Sequence, residues 1–441
     1  MAATLEAQLY RQYNLDREKR FSDWLARMDT LDFARCTRAF FSKLRSKTTE
    51  SETFCSIVDS SGNLTSGLQE TLEAWAQYYE GLYAKAYVPC DFPKPVQTDE
   101  MNDELTLQEM VSAIYSLRGH KAPGFDNITS DDIKTFLQEL NGGDFLEFNG
   151  RFLHFFFGIL SDFWFNERVR HDLKRTVLRP FLKDSSMDAA YPSNYRPISL
   201  LNSIMKIYES VIYGRIVSKF ESDRIFSCAQ AAYRYGRSTA DHILVLQELF
   251  LEYRFCKVGP RGGKGPRPLY LCFLDLRKAF DTVPRNILFR VLFDAGITGK
   301  ILRVIQDLFS SNRANVLIGG YLSRTFQINT GVLQGSKLGP VLFILFINSL
   351  LSSLEASKLG ATIGPIHIST LGFADDIMLV SDSPDKLQKL INICETWANR
   401  NEMEFNVKKC KVMILNKTHN CRTLFILYNT SLELVSLHIN I

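Results

Sequence analysis

Two adjacent carboxylates, Asp375 and Asp376, lie inside an otherwise apolar, strand-like segment at residues 370–380, TLGFADDIMLV. Two such charges about 4 Å apart repel by roughly 4 kcal/mol at an effective dielectric constant of about 20, and burial adds a desolvation cost. A divalent metal ion removes both penalties, because carboxylate oxygens are ligands that Mg²⁺ prefers. The segment therefore predicts a β-hairpin that presents both aspartates to a metal. A turn that merely contains two aspartates is the alternative.

A second aspartate pair in the chain provides a control. Asp131 and Asp132 follow Thr129 and Ser130 at a predicted helix start, where acidic side chains interact favourably with the helix dipole. No metal is needed at that position. An aspartate pair alone therefore does not predict a metal site, and other parts of the chain have to decide.

A third carboxylate, Asp275, lies near the end of a predicted buried strand at residues 269–276, and it precedes Asp375 by 100 positions (375 − 275). Between them, residues 330–335 (TGVLQG) form a predicted turn before a helix at residues 340–350. The glycines of this turn let the backbone approach a ligand closely. Three carboxylates brought together in this way would suit phosphoryl transfer with two metal ions about 3.5–4 Å apart.

Composition limits the classes of function. The 441 residues leave room for two or three domains, and the net charge of only +4 means that nucleic-acid binding has to come from local basic patches. The nine cysteines include no CxxC pair, so neither a zinc cluster nor a disulfide framework is indicated. The N-terminus shows no signal region, and the longest apolar stretch, residues 341–347, is too short to span a bilayer. We expect an intracellular chain, in the nucleus or cytoplasm and not secreted, with residues 341–347 in a buried helix.

Three basic segments are candidates for nucleic-acid contact, at residues 33–48, 168–183 and 258–268. The first is predicted to be helical, the second contains a predicted strand at residues 177–182, and the third is a loop rich in glycine and proline. A solvated surface is the alternative for each of them.

The N-terminal part of the chain carries a clear helical pattern. Apolar and aromatic residues recur there at spacings of three and four positions, which predicts an amphipathic helix. These residues are Leu68, Leu72, Trp75, Tyr79 and Leu82.

Seven sequence runs, taken in their order along the chain, are very specific together although each is modest alone. They are KAPGFD (121–126), NYRPISLLN (194–202), RYGRST (234–239), FLDLRKAFDTV (273–283), GVLQG (331–335), FADD (373–376), and Trp397 followed by EFNVKK (404–409). With these runs, residues 100–415 or so resemble the reverse transcriptase of non-LTR (LINE-type) retrotransposons. Two departures stand out, since Ala231–Ala232–Tyr233–Arg234 replaces a Gly-Phe-Arg element, and Lys337 and Gly339 replace an apolar residue and a serine.

The resemblance implies an α+β fold, a right-hand polymerase with fingers and palm, a helical N-terminal extension and a largely missing thumb. The implied divisions are a helical extension and linker (1–98), fingers with part of the palm (99–268), the palm with the catalytic motifs (269–415), and an irregular or truncated C-terminal tail (416–441). Only 32 residues follow Lys409 (441 − 409), so we expect a truncated element or one piece of a larger polyprotein.

The resemblance also implies a role for each site residue. Asp275, Asp375 and Asp376 correspond to ligands of two Mg²⁺ ions, with Mn²⁺ as a substitute. Phe280 corresponds to a gate against the ribonucleotide 2′-hydroxyl, and Gln334 and Gly335 to the turn beside the nucleotide. Lys183 and Arg196 would hold the triphosphate. Lys409 would be the general acid for pyrophosphate, with Lys408 and Lys411 as alternatives.

Structural explanations stand beside these roles. Phe280 could be plain core packing, Arg196 a surface cation, and Lys183 half of a surface ion pair with Asp184, worth less than about 1 kcal/mol. Asp281 is expected to cap or pair locally near a helix start, and it is left out of the metal set.

The function that the resemblance implies is RNA-directed DNA polymerisation. Its partners would be an RNA template, a DNA primer or target and deoxynucleotides, with no membrane and with the endonuclease activity supplied elsewhere. One alternative is a catalytically impaired, truncated remnant that acts only as an RNA-binding protein. A second is RNA-templated RNA synthesis, against which a bulky Phe280 gate speaks.

Overall fold

The computed structural model describes residues 56–85, 91–93, 99–138, 146–255, 266–416 and 424–435. The chain divides into two units, Met1–Thr53 and Phe54–Ile441, and all of these residues belong to the second. The predicted basic helix at residues 33–48 and most of the basic loop at residues 258–268 lie outside the described residues.

The helices follow the predicted apolar periodicity. The first described helix buries Leu72, Trp75 and Tyr79 along one face, as the spacing of these residues predicts. The helices are α1 (Leu68–Leu82), α2 (Leu107–Ser116), α3 (Ser130–Gln138), α4 (Leu146–Asn166), α5 (Ser203–Ser222), α6 (Thr239–Arg254), α7 (Ala279–Thr282), α8 (Arg285–Asp294), α9 (Lys300–Phe309), α10 (Leu338–Ser357) and α11 (Pro384–Arg400).

The strands form two larger sheets and two small hairpins. They are β1 (Arg175–Leu182), β2 (Tyr195–Leu200), β3 (Leu269–Asp275), β4 (Asn312–Ile318), β5 (Tyr321–Leu322), β6 (Phe326–Ile328), β7 (Ala361–Ile363), β8 (Ile366–Ile368), β9 (Thr370–Phe373), β10 (Asp376–Ser381), β11 (Lys411–Leu415), β12 (Ile426–Leu427), β13 (Thr430–Ser431) and β14 (Glu433–Val435).

The central sheet has the strand order β14-β11-β3-β10-β9. Its middle strand, β3, buries every side chain from Leu269 to Leu274 except that of Phe273. This pattern agrees with the predicted buried strand, because a strand covered on both faces is apolar along nearly its whole length. The strand ends at Asp275, so its only carboxylate lies at the edge of the core.

The second sheet has the order β2-β1-β4-β5, with β6 paired to β4. Helix α1 packs on it, and Trp75 and Tyr79 share a core cluster with Leu178 and Val316 of the sheet. The expected division at residue 268 does not separate the two sheets, because β4 and β6 follow that residue and yet pair in this sheet. Pairing of strands that are distant in the sequence is not visible in local patterns.

Helix α10 is the most apolar element and runs well beyond the predicted residues 340–350. By length and composition alone it could cross a membrane, but 67% of its most apolar window is buried inside the fold. Leu342, Phe346 and Leu350 are fully buried. The helix is therefore part of the core, and the predicted buried helix is confirmed.

The expectation for residues 416–441 was an irregular or truncated tail, and the described residues 424–435 are not irregular. Within residues 424–435, β12 and β13 form a hairpin, and β14 pairs in parallel with β11 at the edge of the central sheet. Phe425 and Leu427 point into the core while Leu424 and Ile426 stay exposed, which is the alternation of a half-buried strand. The short run of apolar residues hid this alternation in the sequence.

The tail residue Phe425 generates a prediction about stability. Its ring is fully buried and lies 6.2 Å from the ring of Tyr270 on β3. We expect Phe425→Ala to lower the free energy of unfolding by about 3–5 kcal/mol, because a large cavity opens in the core. The neighbouring Ile426→Ala, at a side chain that is 46% exposed, should change it by less than about 1 kcal/mol. Urea denaturation measures both, and equal effects would show that the tail is not part of the core.

Candidate active site

The register of the central sheet makes the three predicted aspartates neighbours along the backbone. Asp376, the first residue of β10, is the direct antiparallel partner of Asp275, the last residue of β3. Partners of this kind have their Cα atoms about 4.5–5.5 Å apart. Asp375 occupies the turn between β9 and β10. The predicted hairpin is confirmed, and the backbones of the three residues are neighbours, whereas their joint role as metal ligands stays a prediction.

The hairpin turn is held by a glutamine that the sequence reasoning missed. Ala374 has a φ of +59°, a conformation that costs free energy for a residue with a Cβ. The buried Oε1 of Gln230 accepts hydrogen bonds from the backbone N–H of Ala374 at 3.0 Å and of Ala232 at 2.9 Å. In the sequence, Gln230 is the one strongly polar residue in a run of small residues at 228–232. That contrast was the available sign that its side chain has a structural role.

The backbone around Gln230 also forms hydrogen bonds with the hairpin. The N–H of Ala231 donates to the carbonyl of Gly372 at 3.0 Å, and the N–H of Gly372 donates to the carbonyl of Ala229 at 2.9 Å. The segment therefore lies beside β9 almost as an extra strand. The departure from the Gly-Phe-Arg element thus falls on residues that support the aspartate turn.

The electrostatics of the three carboxylates favour a bound cation. Burial, and then repulsion by Asp376 and Asp275, raises the pKa of Asp375 above its usual value. Burial and the charge of Asp275 likewise raise the pKa of Asp376, against the opposing effects of Lys409 and Arg196. Ionising these groups together therefore costs free energy, which a divalent cation would offset.

The donor set fits a hard divalent ion, since all three side chains offer carboxylate oxygens. Within the described ranges, no group of three or more His, Cys, Asp or Glu side chains is already converged to hold a metal ion. Mutually repelling carboxylates have no reason to converge without a cation between them. The Nζ atom of Lys409 lies 3.3 Å from Oδ1 of Asp275. Side-chain rotation would have to complete the coordination.

Several cations face this acidic group. Arg196 on β2 opposes the charges of Asp375 and Asp376. Burial, followed by the charges of Lys409, Lys278 and Arg196, lowers the pKa of Lys183. The site is therefore an acidic centre with a basic rim, which is suited to a metal-bound polyphosphate.

The contacts of these lysines bear on two alternatives raised by the sequence: which C-terminal lysine lies at the site, and whether Lys183 pairs with Asp184. Among the three lysines near the C-terminus, Lys409 contacts Asp275, whereas Lys411 forms an ion pair with Glu433 at the far side of β11. Lys183 donates to the carbonyl of Ser193 at 2.7 Å, while Asp184 accepts from Ser186. The local ion pair between Lys183 and Asp184 is therefore not the arrangement observed.

The glycine-bracketed turn before α10 closes tightly against its neighbours. Gly331 and Gly335 have φ values of +81° and +112°. A Cβ on Gly331 would lie 2.5 Å from the carbonyl oxygen of Asp281, and one on Gly335 would lie 2.4 Å from that of Ser199. Both positions therefore require glycine. The N–H of Ser199 also donates to the carbonyl of Gln334 at 2.6 Å, which fixes the turn backbone.

Phe280 serves the core and borders the site at the same time. Its half-buried ring stacks on the buried Phe343, with centroids 4.5 Å apart, and Tyr233 meets it edge-on at 6.5 Å. The pKa of Tyr233 is raised by burial and by the charge of Asp375, so this tyrosine faces the acidic centre. The core packing given as the alternative role is therefore present, and the ring also contacts Tyr233, on whose pKa the charge of Asp375 acts.

Asp281 does not play the local role that was expected of it. Its carboxylate accepts from the hydroxyl of Tyr83 at 3.1 Å and from Nε2 of Gln334 at 3.0 Å. These partners are 198 and 53 positions away in the sequence. The expectation was a local cap or a local pair. The cap is wrong, because tertiary packing supplies both hydrogen-bond partners of the side chain, whereas the charge of the nearby Lys278 does act on Asp281.

A groove of about 1060 Å³ opens beside the turn that contains Gly335. Arginine and lysine side chains and aromatic rings line it, and it includes Lys337, one of the two departures from the resemblance. The residues of this basic groove that bear on binding are Arg118, Lys121, Arg179, Phe181, Arg196, Lys206, Tyr233, Tyr235 and Lys337. Cations with interleaved aromatic rings are typical of surfaces that bind single-stranded nucleic acid.

The raised carboxylate pKa values lead to a prediction about stability. When an acidic side chain has a higher pKa in the folded state than in the unfolded state, the folded protein becomes less stable as the pH rises from the unfolded pKa through the folded pKa. Without divalent ions at neutral pH, Asp375→Asn with Asp376→Asn should therefore stabilise the fold by less than about 1 kcal/mol, because Asp376 is exposed and its charge is screened by solvent. The melting temperature should rise by roughly 1–2 °C. Adding Mg²⁺ should raise the melting temperature of the wild type only.

The second aspartate pair gives the matched control for that measurement. Asp132 accepts from the backbone and side chain of Thr129, and Asp131 accepts from the N–H of His120. Asp131→Asn with Asp132→Asn should therefore lower the melting temperature, because favourable contacts at the start of α3 are weakened. Thermal melting with and without Mg²⁺ tests both pairs. An unchanged melting temperature of the wild type in Mg²⁺ would count against a cation site.

Comparison with known proteins now identifies the chain. The family model described as "Reverse transcriptase (RNA-dependent DNA polymerase)" matches residues 182–427, more than half of the chain. A Pol polyprotein from the R2 retrotransposable element of Popillia japonica is 29% identical over 237 residues, covering 53% of this chain and 31% of the relative. An RNA-directed DNA polymerase from the mobile element jockey of Drosophila funebris is 26% identical over 335 residues, which cover 74% of this chain and 34% of the relative.

A solved structure of apo telomerase from Candida tropicalis is also similar, with a TM-score of 0.40, 13% identity, and coverage of 58% of this chain and 53% of that one. The chain spans about a third of the length of the curated relatives named above. The resemblance to the polymerases of non-LTR retrotransposons is confirmed. The chain belongs to the reverse transcriptase (RNA-dependent DNA polymerase) family.

Proposed function

We propose that this chain is the polymerase part of a non-LTR retrotransposon reverse transcriptase, which adds deoxynucleotides to a DNA primer on an RNA template. The observation that carries the proposal is the direct pairing of Asp376 with Asp275, with Asp375 in the adjoining turn. The basic rim and the Gln334 turn beside this group supply the remaining parts that nucleotidyl transfer needs. Because the chain spans about a third of its relatives, the proposal concerns the polymerisation step alone.

Asp275, Asp375 and Asp376 would hold two Mg²⁺ ions, for which Mn²⁺ could substitute. When bound, such ions lower the pKa of the primer 3′-hydroxyl and stabilise the leaving pyrophosphate. Lys183 and Arg196 would orient the triphosphate through charge-assisted hydrogen bonds. Lys409, whose Nζ is 3.3 Å from Asp275, would supply a proton to the pyrophosphate.

The two sheets would correspond to two subdomains of the polymerase. The central sheet, which carries the carboxylates, would be the palm, and the second sheet with the helices around the basic groove would be the fingers. Residues 1–98 would form the N-terminal extension, and we assign no thumb within the part of the chain that the structure describes. The boundary between fingers and palm would be crossed more than once, because β4 and β6 join the second sheet.

The basic groove would hold the RNA template near the point where the nucleotide pairs with it. Its cations are local, which agrees with a net charge of only +4 for the chain. Tyr235 is 96% exposed and could stack on an unpaired base. The DNA primer would approach the carboxylates.

The intracellular location expected from the sequence stays a prediction.

Extension of oligo-dT on poly-rA with labelled dTTP and Mg²⁺ tests the proposal. We expect the wild type to incorporate dTMP, and Asp375→Asn with Asp376→Asn to lose incorporation by about 10²–10³-fold, because several kcal/mol of charge stabilisation disappear. Asp382→Asn is the control, since this residue follows the opposite end of β10 and pairs with Lys386; it should retain most of the activity. A folded wild type that binds poly-rA without incorporating dTMP would indicate the RNA-binding remnant instead.

The role of Phe280 can be tested by sugar discrimination. In Phe280→Ala, the ratio of dTMP to UMP incorporation should fall by about tenfold or more, because the bulk that would exclude the 2′-hydroxyl is removed. Phe280→Tyr keeps the ring stacked on Phe343 and should retain the wild-type ratio. A ratio that Phe280→Ala leaves unchanged would limit this residue to core packing.

A further inference from the structure

We propose that Asp281 is a positioning residue for Gln334, and that it ties the nucleotide-side turn to helix α1 through Tyr83. This inference rests on the proposed polymerase function, since Gln334 matters for catalysis only if the turn faces a nucleotide. Asp281 is neither a predicted metal ligand nor a residue with a role in the family resemblance described above.

The contacts of Asp281 are divided between two elements. Oδ2 accepts from Nε2 of Gln334 at 3.0 Å, and Oδ1 accepts from the hydroxyl of Tyr83 at 3.1 Å. The aspartate is only 5% exposed. A buried carboxylate is costly unless it is hydrogen-bonded, so these two neutral donors are needed for the fold to keep it there.

Nearby charges and hydrogen-bond donors oppose the cost of burying this carboxylate. Burial raises the pKa of Asp281 to about 6, against the lowering effects of Tyr83, Lys278, Gln334 and Lys183. Lys278 is itself held by Tyr78 of α1, whose hydroxyl accepts from the lysine Nζ at 2.8 Å. An ionised acceptor makes both hydrogen bonds of Asp281 stronger than neutral ones.

The contact decides which way the Gln334 amide faces. An ionised carboxylate can only accept, so the NH₂ group of Gln334 has to point at Asp281 and Oε1 has to point away. The backbone of the turn is already fixed by Ser199 and by the close approach at Gly335. Asp281 therefore fixes the remaining freedom of the side chain, and it leaves Oε1 to accept a hydrogen bond from the bound nucleotide.

Tyr83 connects this arrangement to the N-terminal helix. It directly follows α1, its side chain is 2% exposed, and its carbonyl accepts from the N–H of Asn329 just before the turn. Its ring stacks near that of Tyr79, with centroids 6.3 Å apart. The residue that ends α1 thus contacts both Asp281 and the residue just before the turn, although it precedes the matched family region.

The experiment measures kcat and KM for dTTP on poly-rA and oligo-dT with Mg²⁺, for the wild type, Asp281→Ala, Gln334→Ala and the double variant. We expect Asp281→Ala to raise KM by about tenfold, with kcat within about threefold of the wild type, because a charge-assisted contact that orients the side chain is lost. The double variant should be no worse than Gln334→Ala, since residues acting through one contact are not additive.

Two further variants separate positioning from plain stabilisation. Asp281→Asn can still present its carbonyl to the Gln334 amide, so it should restore KM to within about threefold of the wild type. Tyr83→Phe keeps the contact between Asp281 and Gln334, and it should raise KM by about twofold to threefold. Melting temperatures for all variants report the structural cost separately.

The outcomes distinguish this inference from the proposed function. An active wild type with additive losses in Asp281→Ala and Gln334→Ala would overturn the inference and leave the polymerase intact. A fall in kcat with unchanged KM and no rescue by Asp281→Asn would do the same. A folded wild type without any incorporation would overturn the proposed function, and the nucleotide role of Asp281 with it.

Discussion

The pairing of β3 with β10 is the constraint on which the rest of the site depends. It sets Asp275 directly opposite Asp376 and leaves Asp375 in the turn beside them. A shift of the register by one residue would turn the carboxylates to opposite faces of the sheet. The buried apolar side chains of both strands prevent that shift, because they belong to two core clusters, one of which includes Cys272 and Leu379 and the other Leu271 and Val380.

The accumulation of negative charge is balanced by its surroundings. Arg196 on β2 and Lys409 before β11 act on the charge of Asp376, while Lys183 after β1 acts on that of Asp281. The three cations come from separate parts of the chain. A carboxylate centre with a cationic rim can receive a metal ion together with a polyphosphate, since the two ligands cancel opposite charges. The same arrangement explains why the protein can tolerate three acids at one edge of its core.

Rigidity comes from backbone contacts around the reactive groups. Gln230 holds the strained Ala374 on one side of the site, while Gly331 and Gly335 allow the other turn to press against its neighbours. Phe280 is fixed between Phe343 and Tyr233. Groups that are held in place before a substrate binds lose little entropy on binding, which is the usual reason for such supporting contacts.

The sequence by itself determined the local elements and the chemical types of the site. Buried strands, the amphipathic α1, the hairpin with its two aspartates and the apolar α10 follow from periodicity and from the cost of burying charge, and those physical causes act over a few residues. The resemblance added the roles of Phe280, Gln334 and the cations. The strands after residue 424 escaped prediction because their alternation is too short to recognise.

Tertiary structure alone decided which distant residues meet. The place of β4 in the second sheet, the contact of Gln230 with Ala374, and the bonds of Asp281 to Tyr83 and Gln334 join positions 53 to 198 residues apart. Such partners are chosen by global packing and by the need of each buried polar group for a hydrogen bond. No spacing along the chain encodes that choice, which is why the sequence revealed neither the role of Gln230 nor the distant partners of Asp281.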